Sequence, residues 1–319
     1  MNIKQEFKQV NKKLDKIIGY TTVDEINDSV LQYTYSEWLD IWRELYKVPK
    51  VKEGTLYQID LFINNFLKPS ILGNMPLNKI DGITLQRYLI SIKAPRQREH
   101  LFGIIRDSFS RAYTLQLITF NPTCSIELPK RQKKNIVALD RNQEQLFVES
   151  CKKDKYGYLY FIMLYAGLRK GEAQALLYSD IDLEKRVIRV NKTVNDLGHI
   201  NTPKTVYGNR IVPIFDSLYP YLIKFEKNIN KIIFPYQKRC VFEHFHSILN
   251  NAELSGLGIT THSLRHTFAT RCAESGIFVK TVQKWLGHST PQMTLSVYTH
   301  INNDFEDEQI ALLNKKYNQ

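Results

Sequence analysis

Four residues near the C-terminal end of the chain carry side chains that can act together on a phosphodiester. His262 and Arg265 stand three apart in the run THSLRHTFAT, His288 follows Leu286-Gly287, and Tyr298 lies ten residues further on. A helix over 261–274 puts His262 and Arg265 on one face, because residues three apart are surface neighbours on a helix. Ser289-Thr290-Pro291 is a break-and-restart signal, since proline is tolerated in the first turn of a new helix. The pattern predicts imidazole, guanidinium and imidazole converging beside a phenol on the following helix. Donors around a phenolic oxygen suit attack on a phosphodiester. His262 and His266 are also spaced to share a metal, but there is neither the glutamate of a zincin nor a third ligand nearby, so no metal is expected.

The whole chain fits a polyanionic partner. Its 319 residues predict two domains and a small extra piece. Hydrophobic residues make up 43% and charged residues 24%, as in packed globular proteins, yet the formal net charge is +12, which favours nucleic acid or an anionic surface. The longest apolar run, 158–167, is well short of the ~18 residues of a membrane span, and the lysine-rich N-terminus lacks a signal-peptide core. Cys124, Cys151, Cys240 and Cys272 are far apart and form no CxxC pair, so they read as free thiols in a reducing cytoplasm. The expected localisation is cytoplasmic, without a membrane.

The elements that must position the four residues are mostly helices. A short N-terminal helical segment is expected over 1–32, where Ile3, Phe7, Val10, Leu14 and Ile17 space as a seam too short for a coiled coil. Over 33–120 four helices are expected. The first buries Tyr35, Trp38, Leu39, Trp42, Leu45 and Tyr46, the second is capped by Thr55, and the third, capped by Thr84, runs through Ser91. The fourth, over 98–117, turns Leu101, Ile104, Ile105 and Ala112 inward and leaves Arg98, Arg106 and Arg111 able to follow a phosphate backbone. A proline-marked basic linker, 121–138, carries Lys130, Arg131, Lys133 and Lys134.

A second domain, 139–319, opens with an Asp140/Gln143 capping box and a buried helix over 158–166, which runs into Arg169 and Glu172. Strands are expected over 187–191 and 210–214, helices over 218–226 and 240–250, and a last amphipathic helix over 305–313. The fold class is mainly α with a small β-sheet.

AGLRKGE at 166–172, THSLRHTFAT at 261–270, WLGHS at 285–289 and TLSVYTH at 294–300 together resemble the tyrosine recombinases, the phage lambda integrase family. The motifs occur in the family's order and cover the second domain. The resemblance implies a helical core-DNA-binding domain followed by a DNA breaking-rejoining catalytic domain with a C-terminal tail. It implies cleavage and rejoining of DNA through a 3′-phosphotyrosyl intermediate, with Tyr298 as nucleophile and no cofactor. Arg169 and Arg265 would grip the phosphate, which suits the planar, always charged guanidinium. His288 would donate to the same oxygens, and His262 would take the tyrosine's proton or bond the phosphate. Glu172 would orient an arginine or histidine. Lys204, with Lys192 as fallback, would protonate the leaving 5′-oxygen.

Expected partners are double-stranded core sites, a homo-tetramer on two DNA sites, and optionally an accessory excision or DNA-bending factor. Integration and excision of a phage or conjugative element is the leading role, ahead of chromosome-dimer resolution or a non-cleaving DNA-binding regulator. Many integrases of the family place an arm-site-binding domain before the core-binding module, and only about thirty residues precede Tyr35. That leaves a simpler recombinase, or a chain that begins downstream of such a domain.

Overall fold

The computed structural model describes residues 33–130, 136–195, 198–202, 206–223 and 238–298, with Phe234 and Asn314. The expected helices over 1–32 and 305–313, the cations Arg131, Lys133, Lys134 and Lys204, and His300 lie outside the described residues. The chain divides into two compact units, Met1–Lys133 and Lys134–Gln319.

The first unit is helical. Helix α1 (Tyr35–Trp42) starts where Thr34 accepts the Glu37 N–H and the Glu37 carboxylate takes the Thr34 N–H in return, satisfying two otherwise orphaned donors. It widens into a π-helical turn over Arg43–Lys47, and α2 (Glu53–Phe62) does the same over Ile63–Leu67. Helix α2 begins at Glu53, two residues before Thr55, with Lys52 in the capping position, so Thr55 is inside the first turn and caps nothing. Likewise α3 (Gly82–Ser91) is capped by Asp81, whose carboxylate accepts the Thr84 N–H at 2.8 Å. Helix α4 (Pro95–Thr114) starts earlier than its apolar pattern, because Pro95 is pre-set for the first turn. Tyr35, Trp38, Leu39, Leu101, Ile105 and Phe109 are fully buried. Their two polar tips are satisfied by Ser108: its hydroxyl pairs with the Tyr35 hydroxyl at 3.1 Å and its carbonyl accepts the Trp38 indole N–H at 3.0 Å.

The second unit is built around α6 (Gly157–Tyr165), which is apolar all round and therefore central. Helix α5 (Arg141–Lys153), opened by the Asp140/Gln143 capping box, packs Phe147 edge-on against Tyr160 and Phe245. The short α7 (Lys170–Gln174) leads to a three-stranded antiparallel sheet of β1 (Ile181–Asp182), β2 (Val187–Val190) and β5 (Arg210–Pro213), in the order β1-β2-β5. Val187 faces Pro213 and Val190 faces Arg210. Between β2 and β5, β3 (Thr193–Val194) pairs with β4 (Ile200–Asn201). Strands β1, β3 and β4 are two residues long, too short for alternation to mark them in the sequence.

Helices α8 (Tyr219–Leu222), α9 (Lys238–Asn251), α10 (Thr261–Glu274), α11 (Val279–Leu286) and α12 (Gln292–Tyr298) complete the described unit. Helix α10 is buried on nearly every side and is stitched to the start of the unit. Arg271 donates to Glu144 at 2.8 Å and to the Leu139 carbonyl at 2.7 Å, while the Leu139 N–H donates to Thr267 at 2.9 Å. No described helix is long and apolar enough to cross a membrane.

If this packing carries the unit, Phe147→Ala costs about 3–5 kcal/mol and Asp140→Ala, which loses only a cap, about 1 kcal/mol. Urea unfolding of the two variants checks the order, and a reversed order contradicts the placement of Phe147 in the core.

Candidate active site

Arg265 points from α10 into the unit and is 3% exposed. Its guanidinium donates to the Gly167 carbonyl at 2.9 Å and to the Leu286 carbonyl at 2.6 Å. It thereby joins the turn after α6 to the end of α11. Gly167 has φ +66°, and a Cβ there would lie 2.5 Å from the Phe268 ring, so only glycine turns the chain at this point. Arg169, just before α7, donates to the Gly287 carbonyl at 3.1 Å and to Glu172 at 2.7 Å, and its side chain stays 40% exposed. One arginine is therefore embedded and the other reaches the surface.

Glu172 is the centre of the cluster and is 4% exposed. Its carboxylate accepts the Arg169 N–H at 2.9 Å and lies 3.8 Å from Arg265. It is also forked by Arg210, Nη1 to Oε1 at 3.0 Å and Nη2 to Oε2 at 2.8 Å. Burial works to raise the Glu172 pKa, but the bonds and charge of Arg210, then Arg169 and Arg265, bring it down to about 2. Burial, followed by repulsion from Arg169, lowers Arg265 to about 9, which leaves it cationic at neutral pH. Reading the sequence for site residues missed Arg210. The signal was present: in RIVP the arginine shares the buried face with Val212, and a charge on an apolar face needs a buried partner.

His288 follows Gly287, whose left-handed conformation ends α11. A Cβ on Gly287 would stand 2.7 Å from the Tyr207 carbonyl. The imidazole is buried, and its Nδ1 lies 2.9 Å from the Thr294 hydroxyl on α12. Burial first, then the charges of Arg265 and Arg169, lower its pKa to about 3, so the ring is neutral and carries a single N–H. Gln283 holds the His288 carbonyl at 3.2 Å. His262 is exposed at the start of α10, and its pKa is lowered by desolvation and then by Arg265, His266 and Arg169.

Tyr298 is held elsewhere. Its hydroxyl donates to the Ile277 carbonyl at 2.5 Å, and its side chain packs against the small core cluster that includes Phe268, Cys272 and Val282. Burial, then Cys272, raises its pKa to about 12. The structure thus brings Arg169, Glu172, Arg265 and His288 together, sets His262 within their field, and links Tyr298 to them through α12 and Thr294. Lys192 is ion-paired with the largely buried Asp180 at 2.6 Å. Among the basic residues of the first unit, Arg98 donates to the Ile92 carbonyl at 2.6 Å, Arg106 lies over Phe102 and Arg111 over Tyr46. Lys130 is exposed.

The chain matches the phage integrase family over residues 132–304, more than half its length, and the phage integrase N-terminal SAM-like domain over 34–92. A XerC-like tyrosine recombinase of Caldanaerobacter subterraneus subsp. tengcongensis is 25% identical, covering 86% of this chain and 81% of that one. The integrase of Staphylococcus phage L54a is 24% identical, over 88% and 93%. The transposase of transposon Tn916 from Enterococcus faecalis is 30% identical, over 57% of this chain and about half, 52%, of its own length. The Tn1549 transposon integrase, solved with a circular intermediate DNA, shares the fold with TM-score 0.70 and 23% identity, over 84% and 95%. A lambda integrase dimer on a core site does so with TM-score 0.69 and 18% identity, over 90% and 85%. The chain belongs to the phage integrase family, the tyrosine recombinases.

Proposed function

We propose that this recombinase integrates and excises a mobile element by cleaving duplex DNA through Tyr298. The observation that carries the reading is the cluster of buried Arg265 and Glu172 with surface-reaching Arg169, beside neutral His288. These donors are fixed before any substrate arrives, and fixed donors aimed at developing charge are worth most in a water-poor site. The mobile-element role is supported by the similarity to a phage integrase and a transposon transposase.

In this reading Arg169 and Arg265 hold the non-bridging oxygens of the scissile phosphate. His288 accepts the Thr294 O–H at Nδ1, which puts its single proton on Nε2 as a third donor. The Tyr298 oxygen attacks phosphorus, the bond to the 5′-oxygen breaks, and a 3′-phosphotyrosyl link forms. The phenol's proton passes to His262, whose lowered pKa keeps it unprotonated at neutral pH. The 5′-oxygen takes a proton from Lys204, a choice supported by the use of Lys192 to neutralise Asp180. Rejoining runs the steps backwards with a new 5′-hydroxyl, and the retained phosphodiester energy removes any need for a nucleotide cofactor. Before attack the phenol must leave the Ile277 carbonyl, where it is both held and harder to ionise.

The unit containing residues 33–120 grips the core site, with Arg106, Arg111, Lys130, Arg131, Lys133 and Lys134 against phosphates and Arg98 tied inward. Four copies act on two sites, with an excision or DNA-bending factor as an optional partner. The relation to lambda integrase, solved as a tetramer on a Holliday junction, supports the assembly.

Three outcomes follow from this mechanism. Tyr298→Phe forms no covalent adduct on a nicked core-site substrate, and an adduct from that variant refutes the nucleophile. Arg265→Ala retains DNA binding in a gel shift while cleavage falls ~10²–10³-fold; equal loss of both contradicts the clamp. Thr294→Val releases the His288 tautomer and slows cleavage by roughly 5–10-fold, the worth of one neutral hydrogen bond. Unchanged single-turnover cleavage by that variant contradicts the tautomer assignment.

A further inference from the structure

We infer that Arg210 is a positioning residue of the phosphate clamp: with Arg169 it takes up the charge of Glu172, so that the cluster keeps two net positive charges and Arg265 meets the phosphate without being drawn onto the carboxylate. The inference rests on the recombinase reading above and assigns a role to a residue outside the catalytic set.

Arg210 cannot itself bind DNA, because its side chain is 2% exposed and four of its five N–H donors are engaged internally. Two go to the two oxygens of Glu172, one from Nε to the Trp285 carbonyl at 2.5 Å, and one is shared with the Gly208 carbonyl at 3.3 Å. The charge sum around Glu172 is one carboxylate against three guanidinium groups, those of Arg169, Arg210 and Arg265. Arg210 claims both carboxylate oxygens as a fork, the strongest geometry for this pair. Arg265 stays 3.8 Å away and gives its donors to carbonyls instead. Two positive charges therefore remain for a phosphate.

Without Arg210 the carboxylate would stay buried with only the two clamp arginines as partners. A buried charge with an incomplete set of partners is costly, so Arg265 would be drawn onto Glu172 and the cluster would fall to a single net charge. Arg210 also braces the approach to His288. Its bond to Trp285 lies three residues upstream, and it packs so closely that a Cβ on Gly287 would stand 3.0 Å from its Nη1.

The test uses the full chain, a nicked core-site substrate and single-turnover adduct formation across pH, with gel shifts and thermal melting in parallel. Arg210→Gln is expected to bind DNA within ~3-fold of wild type yet form adduct ~10²-fold more slowly. Its rate should rise as pH falls, because protonating Glu172 then frees Arg265, and wild type should lack that rise. Arg210→Lys should recover part of the rate, since it restores charge without the fork. The double variant Glu172→Gln/Arg210→Gln removes both charges, leaves the clamp cationic, and should be faster than Arg210→Gln alone.

A double variant no faster than Arg210→Gln, or a flat pH response in Arg210→Gln, overturns the inference. If Arg210→Gln does not fold, the double variant decides, since it leaves no buried carboxylate without its fork partner. For the double variant in that case, adduct formation within ~30-fold of wild type supports the inference, and a larger loss overturns it. No adduct from wild type would overturn the recombinase reading and this inference together. Adduct from wild type with no recovery in the double variant overturns this inference alone.

Discussion

A carboxylate buried among arginines is the constraint on which the catalytic unit depends. Glu172 is almost without solvent, and a lone carboxylate there would protonate. It stays ionised because Arg169 and Arg210 bond it directly and Arg265 stands close by. Each arginine comes from a different element: the turn before α7, the start of β5 and the middle of α10. Satisfying one charge therefore fixes three segments that are far apart in the chain. The same arginines then cap the backbone around them, at the carbonyls of Gly167, Trp285, Leu286 and Gly287. Those carbonyls end helices or turns, where backbone acceptors are otherwise left open.

This arrangement explains why motifs about a hundred residues apart act as one site. AGLR supplies a carbonyl to Arg265 and WLGH supplies three more to the arginines, so each motif is partly a bonding partner of the others. It also separates two tasks. In the proposed mechanism the grip on phosphate is preformed, whereas the proposed nucleophile Tyr298 is held at the Ile277 carbonyl and is linked to His288 through α12 and Thr294. A phenol whose ionisation is suppressed until it moves is protected from idle chemistry.

Much of this was legible in the sequence, for identifiable reasons. The helices with long apolar stripes, such as α1 and α4, and the capping box at Asp140 were visible because periodicity and caps are local signals. The ends were less visible. Thr55 and Thr84 look like caps, but Lys52 and Asp81 occupy the capping positions, since a candidate cap is confirmed only by where the helix starts. Two-residue strands leave no alternation to read. Arg169, Arg265 and His288 came together as their motifs imply, whereas Arg210 was hidden because its meaning lies in a partner thirty-eight residues away. Arg98 looked available for DNA, yet its guanidinium serves the Ile92 carbonyl, a tie that no spacing rule reveals.

The central claim is that a phosphodiester is transferred to Tyr298 at this cluster. The most direct measurement is mass spectrometry of peptides from the chain trapped on a nicked core-site oligonucleotide. The account predicts that the DNA-linked peptide carries the modification on Tyr298 and that the DNA is attached by its 3′-phosphate. A link at another residue, or attachment through a 5′-phosphate, would contradict it.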